Sequence, residues 1–273
     1  MKDSFPENLQ RISSAENPSF KAALKLLSTH GQAKSGAILL SGWRELSQAI
    51  SLNCQIDYIF LDESPEALDF WRSHQAKIQP ELVRILSPAL YRKLCFNQSE
   101  QWPIAVMRVP EADFEQVDLS QQERILVLDR VQDPGNVGTL LRTAAAFSYN
   151  LVLLTEGSAR LSNPKLWRAA AGSLGALDLY SGLDPLRVIE ALKSASVEVL
   201  LADLDGLDPA AYLSTQASNS QKRPRALILG NEGRGPGPEF RAEAEQILTI
   251  PISKDAESLN VGIAGGILMY LLA

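Results

Sequence analysis

An α/β fold built around a parallel sheet is what the sequence predicts, and three observations carry that prediction. Short apolar runs (AILL, IDYIFL, ILVL, LVLL, VEVLLA, ALIL) alternate along the chain with segments of helical periodicity, which is the signature of repeated strand–helix units. Repetition of that unit after residue 123 calls for a sheet covered by helices on both faces. The length of 273 residues, 45% of them hydrophobic, suits two domains, each with its own core.

Local signals justify the elements in order. Residues 1–17 are polar and turn-rich and read as a loosely held arm. A helix is predicted from Asn17-Pro18 with Phe20, Leu24 and Leu27 on one face, then a strand at Ala37–Leu40, a helix at Trp43–Leu52 and a strand at Ile56–Leu61. Ser64 as N-cap and Pro65 at the first helical position open a helix to His74, and Ser87-Pro88 repeats the signal ahead of Leu90, Tyr91 and Leu94. A strand at Trp102–Val109 closes a small α/β domain over residues 18–109. Residues 110–123, PEADFEQVDLSQQE, are acidic and polar and read as a linker.

The second domain covers residues 124–273. It opens with a strand at Arg124–Asp129, the turn DPGNVG and a helix at Thr139–Phe147, followed by a strand at Leu151–Leu154. The stretch SNPKLWRAAAGSLGAL reads as a loop leading into a helix. Asp184-Pro185 starts another helix carrying Leu186, Ile189 and Leu192, and strands follow at Val197–Ala202, Ala226–Leu229 and Ile247–Ile250. The chain closes on LNVGIAGGILMYLL, where Ile263, Ile267, Tyr270 and Leu271 recur at helical spacing and predict a buried face. Gly262, Gly265 and Gly266 lie inside this helix, and each costs about 1 kcal/mol relative to Ala. Such a load calls for close approach to the helix backbone, by another helix, a ligand or a partner subunit.

Composition narrows the function. The net charge is -6, with 12 Lys+Arg against 11 Asp+Glu in residues 1–110 and 14 against 21 in residues 111–273. Nucleic-acid affinity is dominated by phosphate neutralisation, so an RNA ligand would need a local basic patch. His30 and His74 are the only histidines, and Cys54 and Cys95 the only cysteines, which gives no basis for a histidine triad, a zinc site or a disulfide framework. No run of about 18 apolar residues occurs and the start, MKDSFPENLQ, has no apolar signal region, so neither a membrane span nor export is expected. A reducing cytoplasmic setting follows.

Three turns carry chemistry. The first, Asp133-Pro134-Gly135-Asn136-Val137-Gly138, joins a strand to a helix, with Asn136 as a candidate N-cap beside free N–H groups suited to an anion. Arg142 lies one turn beyond Gly138 on the same side. The second is Gly230-Asn231-Glu232-Gly233-Arg234-Gly235-Pro236-Gly237, directly after ALIL, and ligands of open parallel sheets sit beyond such strand ends. The third runs from Ile250-Pro251-Ile252 to Glu257-Ser258-Leu259-Asn260, with Ser258 as a candidate cap of the terminal helix. No GxGxxG, GxxxxGK[ST] or GxSxG occurs, which removes the dinucleotide fingerprint, the P-loop and the nucleophile elbow.

Together and in this order, LDRVQDPGNVGTLLRTAAAF, LILGNEGRGPG and IPISKDAESLNVGIAGGILMYL resemble the three motifs of the SpoU (TrmH-type) RNA ribose 2'-O-methyltransferases of the SPOUT superfamily. NPKLWRAAAGSLGAL is similar to the family's region between motifs one and two, and NPSFKAALKLL with the strand order of residues 17–109 resembles an L30e-like substrate-binding domain. The resemblance implies a deep trefoil knot in residues 124–273, which no pattern argument would propose because knots are almost absent from proteins. It implies S-adenosylmethionine as cofactor, with no metal, and a homodimer through the C-terminal domain with sites near the subunit interface. Residue by residue, Asn136 and Arg142 match the motif-one pair, Glu232 the motif-two acid, and Ser258 and Asn260 the motif-three polar pair. Cofactor-binding backbone is implied at Leu229, Gly230, Asn231 and Gly233, at Ile250, Pro251 and Ile252, and at Leu259, Asn260, Val261 and Gly262, the last standing where the family often has a serine.

The expected chemistry is an in-line displacement at the sulfonium methyl by a ribose hydroxyl. The family proposal makes the motif-one arginine the base. A guanidinium keeps its proton in proteins, so Arg142 is expected instead to clamp the RNA phosphate and orient the hydroxyl. RNA contacts are expected from Lys21, Lys25, Lys34, Arg44, Arg92 and Lys93 of the less acidic domain. Ribosomal RNA is the expected substrate given the extra domain, with transfer RNA and an antibiotic-resistance methylation of ribosomal RNA as alternatives. A catalytically silent knotted RNA-binding protein is the rival of another class, and the intact Asn136, Arg142, Glu232, Ser258 and Asn260 argue against it.

Overall fold

The computed structural model describes residues 4–95, 102–109, 113–216, 223–253 and 255–273, without the side chains of residues 29, 33, 34 and 216. The chain forms two compact units, Met1–Pro110 and Glu111–Ala273.

The first unit contains β1 (Gln10–Ile12), α1 (Pro18–Lys25), α2 (Thr29–Ser35), β2 (Ile38–Ser41), α3 (Trp43–Ser51), β3 (Gln55–Asp62), α4 (Pro65–His74), β4 (Val83–Leu86), α5 (Pro88–Leu94) and β5 (Ile104–Arg108). Its sheet has the order β1-β4-β3-β5-β2. β1, β4 and β3 are parallel, whereas β5 runs antiparallel to both β3 and β2. Over its described residues 4–17, the stretch expected to be a loose arm instead supplies an edge strand. Gln10 to Ile12 pair with Arg84 to Leu86, and Phe5, Leu9 and Ile12 are buried, so three spaced apolar side chains anchor an otherwise polar stretch. Alternate residues of β3 serve opposite faces: Phe60 joins a core with Phe20 and Tyr91, while Ile59 and Leu61 join one with Leu46 and Trp71. The helix caps follow the sequence, with the Asn17 side chain accepting from the Ser19 N–H at 3.0 Å and Ser64 Oγ from the Ala67 N–H at 3.1 Å. On α1 the buried stripe is Phe20, Ala23 and Leu26, and the expected partners Leu24 and Leu27 face solvent.

The second unit contains β6 (Arg124–Leu128), α6 (Pro134–Ala146), β7 (Leu151–Thr155), α7 (Pro164–Ala170), β8 (Asp178–Leu183), α8 (Pro185–Ser194), β9 (Glu198–Leu207), α9 (Pro209–Gln216), β10 (Arg225–Leu229), α10 (Pro238–Glu243), β11 (Gln246–Leu248) and α11 (Val261–Leu271). All pairings in its six-stranded sheet, β11-β9-β10-β6-β7-β8, are parallel. Residues 125–128, 151–155 and 226–229 are buried throughout, as strands covered on both faces require. The expected linker belongs partly to this unit. Asp113 and Asp118 cap short 3-10 turns, at 3.1 Å to the Glu115 N–H and 3.0 Å to the Ser120 N–H. Those turns aim Phe114 and Leu119 into the core beside Ile125 and Val188.

Two further corrections concern the site. The turn DPGNVG is not separate from its helix: α6 starts at Pro134, with Asp133 as N-cap. In α11 the buried residues are Gly262, Gly265, Leu268 and Met269, while Ile263, Tyr270 and Leu271 are 55%, 66% and 39% exposed. Gly265 sets this rotation, because a Cβ there would lie 2.4 Å from Leu140 Cδ2 of α6 and 2.5 Å from Leu229 Cδ1 of β10. The helix meets its neighbours through Gly262, Gly265, Leu268 and Met269, so Ile263, Tyr270 and Leu271 point outward.

Candidate active site

The Asp133 side chain accepts from the Asn136 N–H at 2.9 Å and from Lys165 Nζ at 3.0 Å. It, rather than Asn136, satisfies the first turn of α6. The Asn136 N–H and the Lys165 ammonium hold the Asp133 carboxyl below its ordinary range, against a smaller upward push from burial, and the Gly135 N–H adds to them. Relieved of capping, the Asn136 side chain reaches outward.

Glu232, from the second turn, fixes what Asn136 does. Its carboxylate accepts from the backbone N–H of Gln132 at 3.3 Å and of Asp133 at 3.2 Å, and from Asn136 Nδ2 at 3.2 Å. Burial pushes the Glu232 carboxyl up, but the hydrogen bonds outweigh it. Its own N–H, the Asn136 amide and the Asp133 and Gln132 N–H groups hold it below the ordinary glutamate value. A carboxylate only accepts, so Asn136 must turn its amide nitrogen toward Glu232. Asn136 Oδ1 then accepts from Asn260 Nδ2 at 2.9 Å, and Asn260 Oδ1 accepts from the Gly262 and Ile263 N–H groups at 2.9 and 3.3 Å. Asn260 is thereby the N-cap of α11, in place of Ser258. One ordered chain, carboxylate to amide to amide to helix terminus, links all three turns.

The second turn is shaped by its own residues. The Asn231 side chain donates to the Arg130 carbonyl at 2.9 Å and accepts from the Gly233 and Arg234 N–H groups at 3.1 and 3.2 Å. At Gly230 the chain doubles back so closely that a Cβ would lie 2.0 Å from the Pro236 nitrogen. Below it, the fully buried Asp129 accepts from the Gly237 N–H at 2.7 Å and Thr155 Oγ1 at 2.8 Å and pairs with Arg130 at 3.2 Å. Asp129 fastens this loop to the ends of β6 and β7. The one sign of it in the sequence is an acid ending the apolar run ILVL.

Against these loops, beyond the carboxyl ends of β10 and β11 and beside residues 202–204 of β9, lies a cleft of about 660 Å³. Of the expected cofactor residues, Leu229, Gly230, Asn231, Gly233, Ile250, Ile252, Leu259, Asn260 and Val261 line it, as do Glu232 and Ser258. Pro251 and Gly262 do not: Pro251 is exposed, and buried Gly262 faces Thr139 of α6. Asp203, Leu204, Arg241 and Thr249 also line the cleft, although no motif marks them. Arg142 is exposed, does not line the cleft, and makes no hydrogen bond or ion pair among the described residues. Six residues separate it from Asn136, about 240° around the helix, so the two side chains leave α6 in different directions. Lys21, Lys25, Arg44, Arg92 and Lys93 are exposed on α1, α3 and α5, and the side chain of Lys34 lies outside the described residues. No group of three or more His, Cys, Asp or Glu able to hold a metal ion occurs among the described residues, and none of their helices is long and apolar enough to cross a membrane.

A parallel α/β sheet with a cleft at its strand ends, rimmed by three interlocked glycine-rich turns, defines a ligand-binding class of α/β protein. The particular family is established by comparison: the chain belongs to the SpoU rRNA Methylase family, whose model matches residues 123–270. It is 31% identical over 265 residues, 97% of this chain and 99% of the relative, to the 23S rRNA (guanosine(2553)-2'-O)-methyltransferase RlmP of Bacillus subtilis. In fold it is similar to the AdoMet-bound rRNA methyltransferase of Sinorhizobium meliloti, with TM-score 0.80, 23% identity and coverage of 96% of this chain and 97% of the other. It is also similar to the SpoU methyltransferase AviRb of Streptomyces viridochromogenes in complex with AdoMet, with TM-score 0.76, 24% identity and coverage of 94% and 97%.

Proposed function

We propose that the protein is an S-adenosylmethionine-dependent RNA 2'-O-ribose methyltransferase acting on ribosomal RNA. The observation that carries this reading is the hydrogen-bonded chain Glu232–Asn136–Asn260 at the rim of the cleft, because it joins one polar residue from each of the three family motifs. The cleft, at about 660 Å³, falls within the several-hundred-Å³ range of small-molecule sites. Its wall combines apolar side chains (Leu229, Leu248, Ile252 and Leu268) with the close-wound backbone around Gly230, a cradle that fits an adenosine-sized cofactor. The names of the Bacillus relative and of a 24% identical 23S rRNA (uridine(2479)-2'-O)-methyltransferase of Streptomyces viridochromogenes favour ribosomal RNA.

When bound, the cofactor supplies an electrophilic methyl group on its sulfonium. The chain supplies position and charge. Glu232 stays ionised and locks Asn136, and Asn136 locks Asn260, so the ends of α6 and α11 are fixed before substrate arrives. Arg142, without a hydrogen-bond or ion-pair partner among the described residues, grips the RNA phosphate beside the target ribose and orients its 2'-hydroxyl. Because Arg142 does not line the cleft of its own chain, it acts at the site of a second copy. The exposed Ile263, Tyr270 and Leu271 of α11, with Phe147 inclined against Tyr270 at 5.6 Å between ring centroids, support a homodimer through this surface. The reading includes the family's trefoil knot, and the close seating of Gly265 between α6 and β10 fits a terminal helix drawn tight against its neighbours. A cytoplasmic setting, where ribosomes are assembled, belongs to the same proposal.

The test is transfer of labelled methyl from S-adenosylmethionine to ribosomal RNA from cells lacking the protein, with the modified nucleotide mapped. Label at one ribose 2'-oxygen is expected. Absence of transfer to any cellular RNA by a folded, cofactor-binding sample would overturn the enzymatic reading.

A further inference from the structure

The far wall of the cleft carries an opposite-charge pair that the acid–amide chain does not use. Asp203, near the carboxyl end of the regular part of β9, forms an ion pair with Arg241 of α10, and both residues line the cleft. We propose that this pair is the receptor for a zwitterionic amino-acid group on the bound ligand. Asp203 takes its α-ammonium and Arg241 its α-carboxylate. The proposal rests on the cofactor reading above and deepens it, by naming the residues that hold the amino-acid end of S-adenosylmethionine.

Position comes first. In the strand order β11-β9-β10-β6, β10 separates β9 from β6, and the loop after β6 supplies Asn136. The ion pair therefore belongs to the β9 side of the sheet's carboxyl end and Asn136 to the β6 side. A ligand whose reactive centre lies by Asn136 extends one arm toward Asp203 and Arg241.

Charge comes second. Glu232 is committed to three donors of the first turn, and Arg234 and Glu257 are exposed and form no ion pair among the described residues. Asp203–Arg241 is the one ion pair between described cleft-lining residues. A simple anion entering here meets Asp203 as well as Arg241, and a simple cation meets the reverse. Only a group bearing both charges satisfies both partners.

Geometry comes third. The Asp203 side chain is 15% exposed and that of Arg241 41%, so the carboxylate is sunk in the wall and the guanidinium lies at its surface. Asp203 Oδ1 accepts from the Leu204 N–H at 2.7 Å, which fixes its orientation. An Arg241 Nη sits 3.1 Å from where a Cβ on Gly235 would be, so the absence of a side chain there leaves the guanidinium resting on the second turn. A guanidinium has five donors and a carboxylate about four acceptor sites. Their mutual contact leaves capacity on both for a ligand carboxylate gripped by the fork and an ammonium seated on Asp203.

The test compares two ligands by calorimetry on the full chain. S-adenosylhomocysteine carries the amino-acid group, and 5'-deoxy-5'-methylthioadenosine keeps the adenosine and thioether but lacks it. The wild type is expected to prefer S-adenosylhomocysteine by about 10- to 100-fold, the value of one or two charge-assisted hydrogen bonds. Arg241→Gln and Asp203→Asn should each remove most of that preference and leave methylthioadenosine affinity unchanged, which also shows that the variants are folded. Equal loss of both ligands would make the pair a strut or a nucleoside contact and overturn the proposal. So would unchanged S-adenosylhomocysteine affinity in both variants. A folded wild type that binds neither ligand would instead bring down the cofactor reading itself.

Discussion

In the proposed mechanism Arg142 and Glu232 divide the work at the residue scale, one reaching toward substrate and the other holding Asn136 in place. Arg142 has no hydrogen-bond or ion-pair partner among the described residues, so Arg142→Ala should leave stability and cofactor affinity near wild type while lowering single-turnover methyl transfer by about 100- to 1000-fold, the usual cost of one well-placed donor. Arg142→Lys should recover little, because an ammonium lacks the planar two-pronged grip. Wild-type transfer rates in Arg142→Ala would remove it from the mechanism. Glu232 makes a prediction in pH. Its folded carboxyl is held below the ordinary glutamate value, so as pH falls the unfolded chain takes up the proton first. The stabilisation is full above about pH 4.3, the unfolded value, and fades as pH drops through the folded one. Urea midpoints should therefore separate wild type from Glu232→Gln at pH 7 and converge toward pH 3; a gap independent of pH would mean the charge is not what stabilises. Asn136, Glu232 and Asn260 were legible because each stands in an ordered motif. Buried Asp129 and the pair Asp203–Arg241 were not, because their partners lie on other elements and leave no local spacing to read; Asp133-Pro134 carries the same cap signal as Asp184-Pro185, but the glycines that follow it read as a separate turn.

At the scale of elements, α11 shows where periodicity misleads. Ile263, Ile267, Tyr270 and Leu271 recur as a core stripe would, yet the side that packs is Gly262, Gly265, Leu268 and Met269. A hydrophobic period reports an apolar face without saying whether another element or a partner subunit covers it, and close backbone approach selects the glycine side. Two neighbouring glycines separate these effects. At Gly265 a Cβ would lie 2.4 and 2.5 Å from two leucine methyls, whereas at Gly266 it would meet only Thr143 Cγ2, at 3.7 Å. Gly265→Ala should destabilise by about 1–3 kcal/mol through overpacking. Gly266→Ala should be neutral or stabilise by up to about 1 kcal/mol through helix propensity. Urea unfolding of both variants checks this, and equal effects would mean that α11 does not seat on Leu140 and Leu229 as described. Elsewhere the caps served well: Asn17, Ser64 and Asp184 each open the helix that the sequence assigns to them. β4 and β8 were missed because four or six residues between stronger signals carry too little pattern to separate a strand from a loop.

For the molecule as a whole, the parallel sheet of the second unit was readable because β6, β7 and β10 are continuous apolar runs, and the first two lead into helices with a capping side chain. The mixed sheet of the first was not, because the antiparallel placement of β5 depends on pairing with β2 and β3 across long stretches of chain. The same physics makes the second unit separable. Its core draws on Phe114 and Leu119 as well as on β6, β7, β9 and β10, so a fragment that begins at residue 124 would uncover apolar surface, whereas residues 111–273 keep the cluster whole. Residues 111–273 should therefore fold and bind S-adenosylmethionine with near-wild-type affinity. RNA affinity should not survive the cut, because those residues carry 14 Lys+Arg against 21 Asp+Glu, while residues 1–110 carry 12 against 11 and hold Lys21, Lys25, Arg44, Arg92 and Lys93. Phosphate contacts set both affinity and its salt dependence, so the full chain should show the steeper fall of RNA binding with salt. Calorimetry with cofactor and a salt series of RNA binding on both forms decide the matter, and a fragment that methylates its RNA as well as the full chain would end the assignment of RNA binding to the first unit.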